Sequence, residues 1–136
     1  MNTVPQEHPS GCAVSCVAAL SGISYPTALK LFRNVRYARF RGFYCKEVVA
    51  ALKKTGKKYG FAHYGKSNKK WLTKPNVIVF IQKSRDHEMG HYLVRSPNGK
   101  WMDPWINYPM MNPVRAGFRR KIPGKPQWII FPKEKE

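Results

Sequence analysis

The chain has 136 residues, 43% of them hydrophobic and 13% aromatic, which predicts one globular domain over residues 1–136 and excludes a disordered protein. No apolar run approaches the ~18 residues of a membrane span. Residues 1–10 lack the basic start and the apolar stretch of a secretory signal. We therefore expect a soluble, cytoplasmic protein.

The balance of charges is strongly basic, with 25 Lys and Arg against 7 Asp and Glu and a net charge of +18 at pH 7. The basic residues come in bursts at 30–41, 53–58, 66–70 and 115–121. The positive electrostatic potential of such a chain attracts phosphate backbones and acidic proteins. Two interpretations stay open: a generally basic solvated surface, or a surface for a polyanionic partner.

Three segments in the first half have helical patterns. Residues 11–21 are small and apolar on every side, as in a fully buried helix, and Gly22 ends the run. Residues 25–32 form a shorter segment with proline in its first turn. Residues 45–55 alternate apolar and basic side chains at helical spacing, which predicts an amphipathic helix.

The second half changes to strand patterns. Residues 76–82 and 127–131 are β-branched or aromatic runs of strand length. Residues 91–95 and 100–103 flank a Ser-Pro-Asn-Gly turn, which predicts a β-hairpin. Residues 106–126 are predicted to be a long loop. Helices followed by antiparallel strands predict an α+β fold, with the N-terminal helices packed on an antiparallel sheet.

Cys12 has the surroundings that a thiol nucleophile needs. It begins the first predicted helix, and a helix N-terminus favours the thiolate. His91 begins a strand, and Asp103 stands across the predicted hairpin, where it can accept the second ring N–H of the histidine. Gln6, six residues before Cys12, can supply a side-chain N–H to an oxyanion together with the Cys12 backbone N–H.

Two motifs carry a resemblance to a known family. Gln6-x5-Cys12 followed by AVSCVAALSG resembles the nucleophile segment of the C39-like peptidases, a bacteriocin-processing type within the papain-like cysteine protease superfamily. Gly-His91-Tyr-Leu-Val followed by Trp-Met-Asp103-Pro resembles the second signature of that family. The resemblance spans residues 4–105. The nucleophile motif departs from the common Asp-Cys-Gly, because this chain has Gly-Cys-Ala.

The resemblance implies a papain-like fold and thiol attack on an amide carbonyl, often after a Gly-Gly leader. By motif it assigns Cys12 as the nucleophile, His91 as the general base and acid, Asp103 as the residue that orients His91, and Gln6 as an oxyanion donor. It implies a peptide or protein substrate and no cofactor or metal. Peptidase, deamidase and acyltransferase reactions all pass through the same acyl-enzyme, so the sequence leaves them open.

A second hypothesis belongs to another class of protein. The chain could be a basic effector on the same fold that binds nucleic acid or an acidic protein, with the thiol site idle or secondary. Aromatic residues interleave with arginines in residues 36–44, which fits a nucleic-acid surface or helix-packing aromatics. Cys16 and Cys45 are interpreted as free thiols, with Cys16 in the core, because Cys-x3-Cys inside a helix suits zinc poorly. Trp105 is expected near a substrate groove.

Overall fold

A computed structural model describes residues 1–133. The helices are α1 (Cys12–Ser21), α2 (Tyr25–Leu29), α3 (Tyr37–Phe40) and α4 (Cys45–Lys54), with a 3-10 helix at Lys66–Thr73. The strands are β1 (Tyr59–His63), β2 (Ile78–Ile81), β3 (His91–Arg95), β4 (Trp101–Asp103), β5 (Gly117–Arg119) and β6 (Pro126–Pro132).

The six strands that the structure describes form one sheet in the order β1-β6-β2-β3-β4-β5. All of its neighbouring strands run antiparallel. Helix α1 packs on β3, and α4 packs on β1. The predicted α+β class, with N-terminal helices on an antiparallel sheet, is therefore confirmed.

Helix α1 is buried along its length, as its apolar composition predicts. Val14, Cys16 and Val17 are inaccessible to solvent, in a core that α1 shares with α4 and the sheet. The helix ends at Gly22, whose φ of 66° is the left-handed conformation that terminates many helices. This packing fixes the N-terminal end of α1 and with it the position of Cys12.

The β3–β4 hairpin is confirmed, and its register explains how the sequence brings two distant polar residues together. Val94 pairs with Met102, and Arg95 pairs with Trp101. One step further along this register, Asp103 comes opposite Leu93. Side chains alternate between the two faces of a strand, so His91 projects on the same face as Leu93, diagonal to Asp103.

Several short elements were not predicted, namely α3, β1, the 3-10 helix and β5. Residues 106–126, predicted to be a long loop, contain β5, which pairs with β4. A three-residue strand is too short to show an alternating pattern, and its pairing depends on β4, which is distant in sequence. Within residues 1–133, no helix is both long enough and apolar enough to cross a membrane.

Candidate active site

Cys12 is the first residue of α1 and is partly exposed. Gly11, the N-cap, offers no side-chain cap, and none of the described residues in the first turn of the helix is acidic. The positive end of the helix dipole is therefore free to stabilise a negative sulfur. The Tyr92 backbone N–H also donates to Cys12 Sγ over 3.4 Å, a thiolate-stabilising contact that the sequence analysis missed.

His91 and Asp103 form a buried pair. His91 Nε2 lies 2.6 Å from Asp103 Oδ1, and the two residues are 3% and 0% exposed. Burial opposes the charged form of His91, but the hydrogen bond to Asp103 and the neighbouring Cys12 side chain favour it. Together they raise the pKa of His91 from 6.5 to about 9. The structure thus brings together the two residues that the sequence placed across a hairpin.

Asp103 accepts three hydrogen bonds. Besides His91, the Trp105 backbone N–H donates to Oδ1 over 2.9 Å, and Arg119 Nε donates to Oδ2 over 2.7 Å. Burial alone would raise the pKa of Asp103, but the bonds from His91, Arg119 and the Trp105 backbone lower it from 3.8 to about 2. Asp103 is therefore ionised at neutral pH. Arg119, on the unpredicted strand β5, gave no motif signal.

Cys12 and His91 are neighbours at the mouth of the site. Among residues 1–133, the one aligned hydrogen bond of Cys12 Sγ comes from Tyr92, so the thiol and the imidazole are adjacent without a well-aligned bond between them. This is common in enzymes without substrate, where catalytic hydrogen bonds are often long and tighten only in the complex. The arrangement can hold a thiolate–imidazolium pair oriented by Asp103.

Gln6 lies at the same site, and its side chain is engaged. It is buried, and its Nε2 donates to the carbonyl oxygens of His8 and Pro9, both over 3.0 Å. Its Oε1 is buried and has no hydrogen-bond partner within the described residues. The Gln6 backbone N–H donates to Pro104 O over 3.2 Å and so ties the N-terminal segment to the residue after Asp103.

His87 belongs to the site although no motif pointed to it. Its ring stacks on that of His91, with centroids 4.4 Å apart and planes inclined by 6°. His87 is 5% exposed. Burial, followed by the neighbouring charge of His91, lowers the pKa of His87 from 6.5 to about 4. A neutral ring therefore covers one face of the His91 imidazole at pH 7.

A cavity of about 770 Å³ opens beside these groups. Gln6, Cys12 and His91 line it, and so does Trp105, which the sequence predicted to lie near a substrate groove. The rest of its wall includes aromatic side chains, among them Phe61, Phe80, Tyr92 and Trp128, as well as charged ones such as Lys83 and Glu88. The volume is within the range of pockets that bind small molecules or short chain segments.

Comparisons with models of protein families and with curated proteins find nothing that matches this chain. The functional argument therefore depends on the geometry of the site.

The other two cysteines are both buried, Cys16 in the core and Cys45 in the wall of the cavity. Cys16 is fully buried, and burial raises its pKa well above the ordinary range, which confirms its predicted place in the core. Cys45 begins α4, and its Sγ lies 3.6 Å from Tyr92 Oη; burial raises its pKa as well. Within residues 1–133, no three His, Cys, Asp or Glu side chains are grouped so that they could hold a metal ion.

Proposed function

We propose that this protein is a papain-like cysteine hydrolase of the C39-like type, which cleaves a peptide or amide bond through Cys12, His91 and Asp103. The observation that carries the proposal is the 2.6 Å bond between His91 Nε2 and Asp103 Oδ1, with Cys12 beside the same imidazole at a helix N-terminus. A thiol at a helix N-terminus, an imidazole beside it and a carboxylate bonded to that imidazole support the proposal, because thiol catalysis uses such a set of groups.

The reaction follows from these positions. The Cys12 thiolate attacks the amide carbonyl carbon, and the carbonyl π electrons move to oxygen to form an oxyanion. Collapse of this intermediate breaks the C–N bond, and the His91 imidazolium gives its proton to the departing amine. Water then attacks the thioester while His91 takes a proton from it, and the thiolate leaves. Asp103 keeps the ring oriented throughout.

The first hydrogen-bond donors proposed for the oxyanion are backbone N–H groups at the start of α1. The first N–H groups of a helix have no partner inside the helix, and that of Cys12 adjoins the attacking sulfur. Gln6 is the second donor that the resemblance implies. Because its Nε2 bonds to the His8 and Pro9 carbonyls, Gln6 has to exchange one of these partners for the oxyanion.

The departure from the family's Asp-Cys-Gly motif has a local reason in this chain. A Cβ atom at Gly11 would lie 2.0 Å from the hydroxyl oxygen of Tyr25. That hydroxyl also lies 2.9 Å from His8 Nδ1. The Tyr25 hydroxyl thus fills the space that a side chain before the cysteine would need, and the glycine is compatible with a catalytic Cys12.

The pH dependence of iodoacetamide alkylation, resolved by mass spectrometry at each cysteine, tests the proposal. We expect Cys12 to react rapidly down to about pH 6, where an ordinary thiol is almost entirely protonated. Cys16 and Cys45 should react slowly, because burial raises their pKa values. His91→Ala should abolish the fast reaction, and His63→Ala, which changes an exposed histidine outside the site, should leave it unchanged.

The opposite result would remove the hydrolase proposal. If Cys12 reacted as slowly as Cys16 and Cys45 and did not respond to His91→Ala, no activated thiol would exist. The remaining hypothesis would then be the basic effector that binds nucleic acid or an acidic protein and leaves its thiol site idle. Titration of the protein with nucleic acids and with acidic proteins at several salt concentrations would test this hypothesis, because binding through phosphate contacts weakens steeply with salt.

A further inference from the structure

A second cavity, of about 560 Å³, adjoins the catalytic cleft. Arg41, Tyr44 and Lys46 line both cavities, so the two form one continuous surface. We call the second cavity the basic pocket; its other lining residues are Arg33, Asn34, Arg36, Tyr37 and Glu47.

Arg41 forms the wall between the cleft and the basic pocket. Its guanidinium carbon lies 3.4 Å from the ring centroid of Tyr37 and 4.1 Å from that of Tyr44. Arg41 also pairs with Glu47, the one acidic residue among those that line the pocket. Its charge is therefore largely engaged within the protein.

The other three cations of the basic pocket are uncompensated. Arg33, Arg36 and Lys46 are exposed, and none of them pairs with a carboxylate within residues 1–133. Three unpaired positive charges around one concave surface repel one another and favour an anionic ligand. Carboxylates are suitable, because a guanidinium can bind them through two parallel hydrogen bonds.

We propose that the basic pocket binds acidic side chains of the substrate polypeptide, next to the segment that enters the cleft. This inference rests on the proposed hydrolase function for the identity of the ligand as a substrate. The substrate class is then a polypeptide with apolar residues for the aromatic cleft and neighbouring glutamates or aspartates for Arg33, Arg36 and Lys46.

Two observations favour an acidic polypeptide over a nucleic acid. The Arg41 guanidinium covers one face of Tyr37 and one face of Tyr44, and Tyr37 also packs against Phe40 and Phe43, so little aromatic surface of the basic pocket is left for stacked bases. The basic pocket is also continuous with the cleft that contains Cys12 and His91, which the proposed function assigns to a polypeptide.

Fluorescence anisotropy on the Cys12→Ala protein tests the inference without interference from cleavage. The probe is a fluorescein-labelled peptide with alanine and phenylalanine at its centre and four glutamates at each end. The control peptide has glutamines in place of all the glutamates. The pocket variant is Arg33→Gln, Arg36→Gln and Lys46→Gln combined. The control combines Lys66→Gln, Lys69→Gln and Lys70→Gln, which removes the same charge from exposed lysines that line neither cavity.

We expect the pocket variant to bind the glutamate peptide about tenfold more weakly, because each lost exposed ion pair weakens binding by a few-fold. The control should change the dissociation constant less than about twofold, and the glutamine peptide should bind weakly to every form. If both triple variants bound the glutamate peptide equally weakly, the inference would be overturned, because the peptide would then respond only to the overall positive charge of the protein. Tighter binding of a 12-nucleotide single-stranded RNA than of the glutamate peptide, weakened by both variants, would overturn it in favour of nucleic acid.

The same measurement separates this inference from the proposed function. If the glutamate peptide binds as expected while the protein with intact Cys12 fails the alkylation test, the basic pocket stands as an acidic-peptide site and the hydrolase proposal fails. If Cys12 is activated but the pocket variant binds the glutamate peptide as well as its parent does, the hydrolase proposal stands and the basic pocket is not a substrate site.

Discussion

Arg119 Nε lies 2.7 Å from Asp103 Oδ2, the carboxylate oxygen that His91 does not bind. Asp103 is fully buried and His91 almost so. The arginine on β5 therefore supplies a permanent positive charge to the carboxylate that orients the imidazole. A buried carboxylate that is bonded to Arg119 as well as to His91 stays ionised when His91 loses its proton.

Replacing Arg119 tests this contact. Arg119→Gln removes a charged hydrogen bond from a buried carboxylate, and we expect a loss of about 1–3 kcal/mol in the free energy of unfolding at pH 7. Asp103, with its pKa lowered from 3.8 to about 2, contributes stability that is present above pH 3.8 and is lost as pH falls through about 2. The difference between the two proteins should therefore shrink towards pH 2 in urea unfolding experiments.

The neighbouring exposed arginine provides the control. Arg120→Gln removes the same charge outside the site and should change the free energy of unfolding by less than about 0.5 kcal/mol. Equal losses for the two variants would mean that the contact between Arg119 and Asp103 has no special role.

Asp103 should set the titration of His91. In Asp103→Asn the carboxylate that favours the imidazolium is gone while burial remains, so we expect the pKa of His91 to fall from about 9 by more than one unit. In the unchanged protein, the raised pKa of His91 contributes stability that is fully present below pH 6.5 and is lost as pH rises through about 9. This loss on the alkaline side should be smaller in the variant.

NMR titration of the histidine Cε1–H resonances measures the pKa of His91 directly, with the signal assigned by its loss in His91→Ala. Asp86→Asn, which removes an exposed carboxylate that does not contact His91, is the control and should leave this pKa unchanged. An unshifted titration in Asp103→Asn would show that the 2.6 Å contact does not stabilise the imidazolium.

His87 should make the protein sensitive to mild acid. Its pKa is lowered from 6.5 to about 4, so the unfolded chain takes up a proton below pH 6.5 that the folded protein does not. The stability associated with the neutral ring is therefore present above pH 6.5 and falls as pH drops towards 4. His87→Phe keeps a flat ring against His91 without a titrating group, and we expect it to remove about 1–3 kcal/mol of this acid destabilisation.

Urea unfolding at pH 7, 5 and 4 measures the effect. His63→Phe, at an exposed histidine, should follow the unchanged protein over this range. If His87→Phe lost stability with falling pH as steeply as His63→Phe, the stacked ring would not be the origin of the acid sensitivity.

Local patterns and the family resemblance pointed to the residues of the candidate site that lie at a helix start and on a hairpin, but not to those that depend on tertiary packing. Cys12 begins a helix and His91 and Asp103 lie on a hairpin, as the periodicity and the turn motif predicted, and the structure has His91 bonded to Asp103 with Cys12 beside it. Arg119 reaches the site only because β5 pairs with β4, and His87 only because the segment before β3 folds over it. No short sequence pattern indicates that Arg119 or His87 lies at the site, because their positions depend on contacts with segments that are distant in sequence or irregular in conformation.

Gln6 should be important for stability as well as for the proposed reaction. Gln6→Ala removes the side-chain donor of the Pro9 carbonyl oxygen and one of the two donors of the His8 carbonyl oxygen, which keeps the Gly11 N–H, and we expect a loss of about 1–3 kcal/mol in the free energy of unfolding. Gln82→Ala, at an exposed glutamine, should lose less than about 0.5 kcal/mol. A role confined to the oxyanion would instead slow cleavage and leave the urea midpoint of Gln6→Ala equal to that of Gln82→Ala.

Gly90 should be required by the backbone that presents His91. Its φ is 78°, and a Cβ atom there would lie 2.2 Å from Phe80 Cζ and 2.9 Å from the Ile81 carbonyl oxygen. Gly90→Ala therefore combines a left-handed backbone with overpacking against strand β2, and we expect it to cost at least about 2 kcal/mol in the free energy of unfolding. It should also displace His91 and slow the alkylation of Cys12.

Gly65→Ala is the matched control, because Gly65 has an extended backbone with a φ of −163° and no atom within 4 Å of an added Cβ. It should leave both the unfolding midpoint and the alkylation rate close to those of the unchanged protein. If Gly90→Ala matched Gly65→Ala in both the unfolding midpoint and the alkylation rate, the segment before β3 would be able to change its conformation without moving His91. The lack of space for a Cβ atom beside Phe80 and Ile81 would then not be what fixes the position of the His91 imidazole.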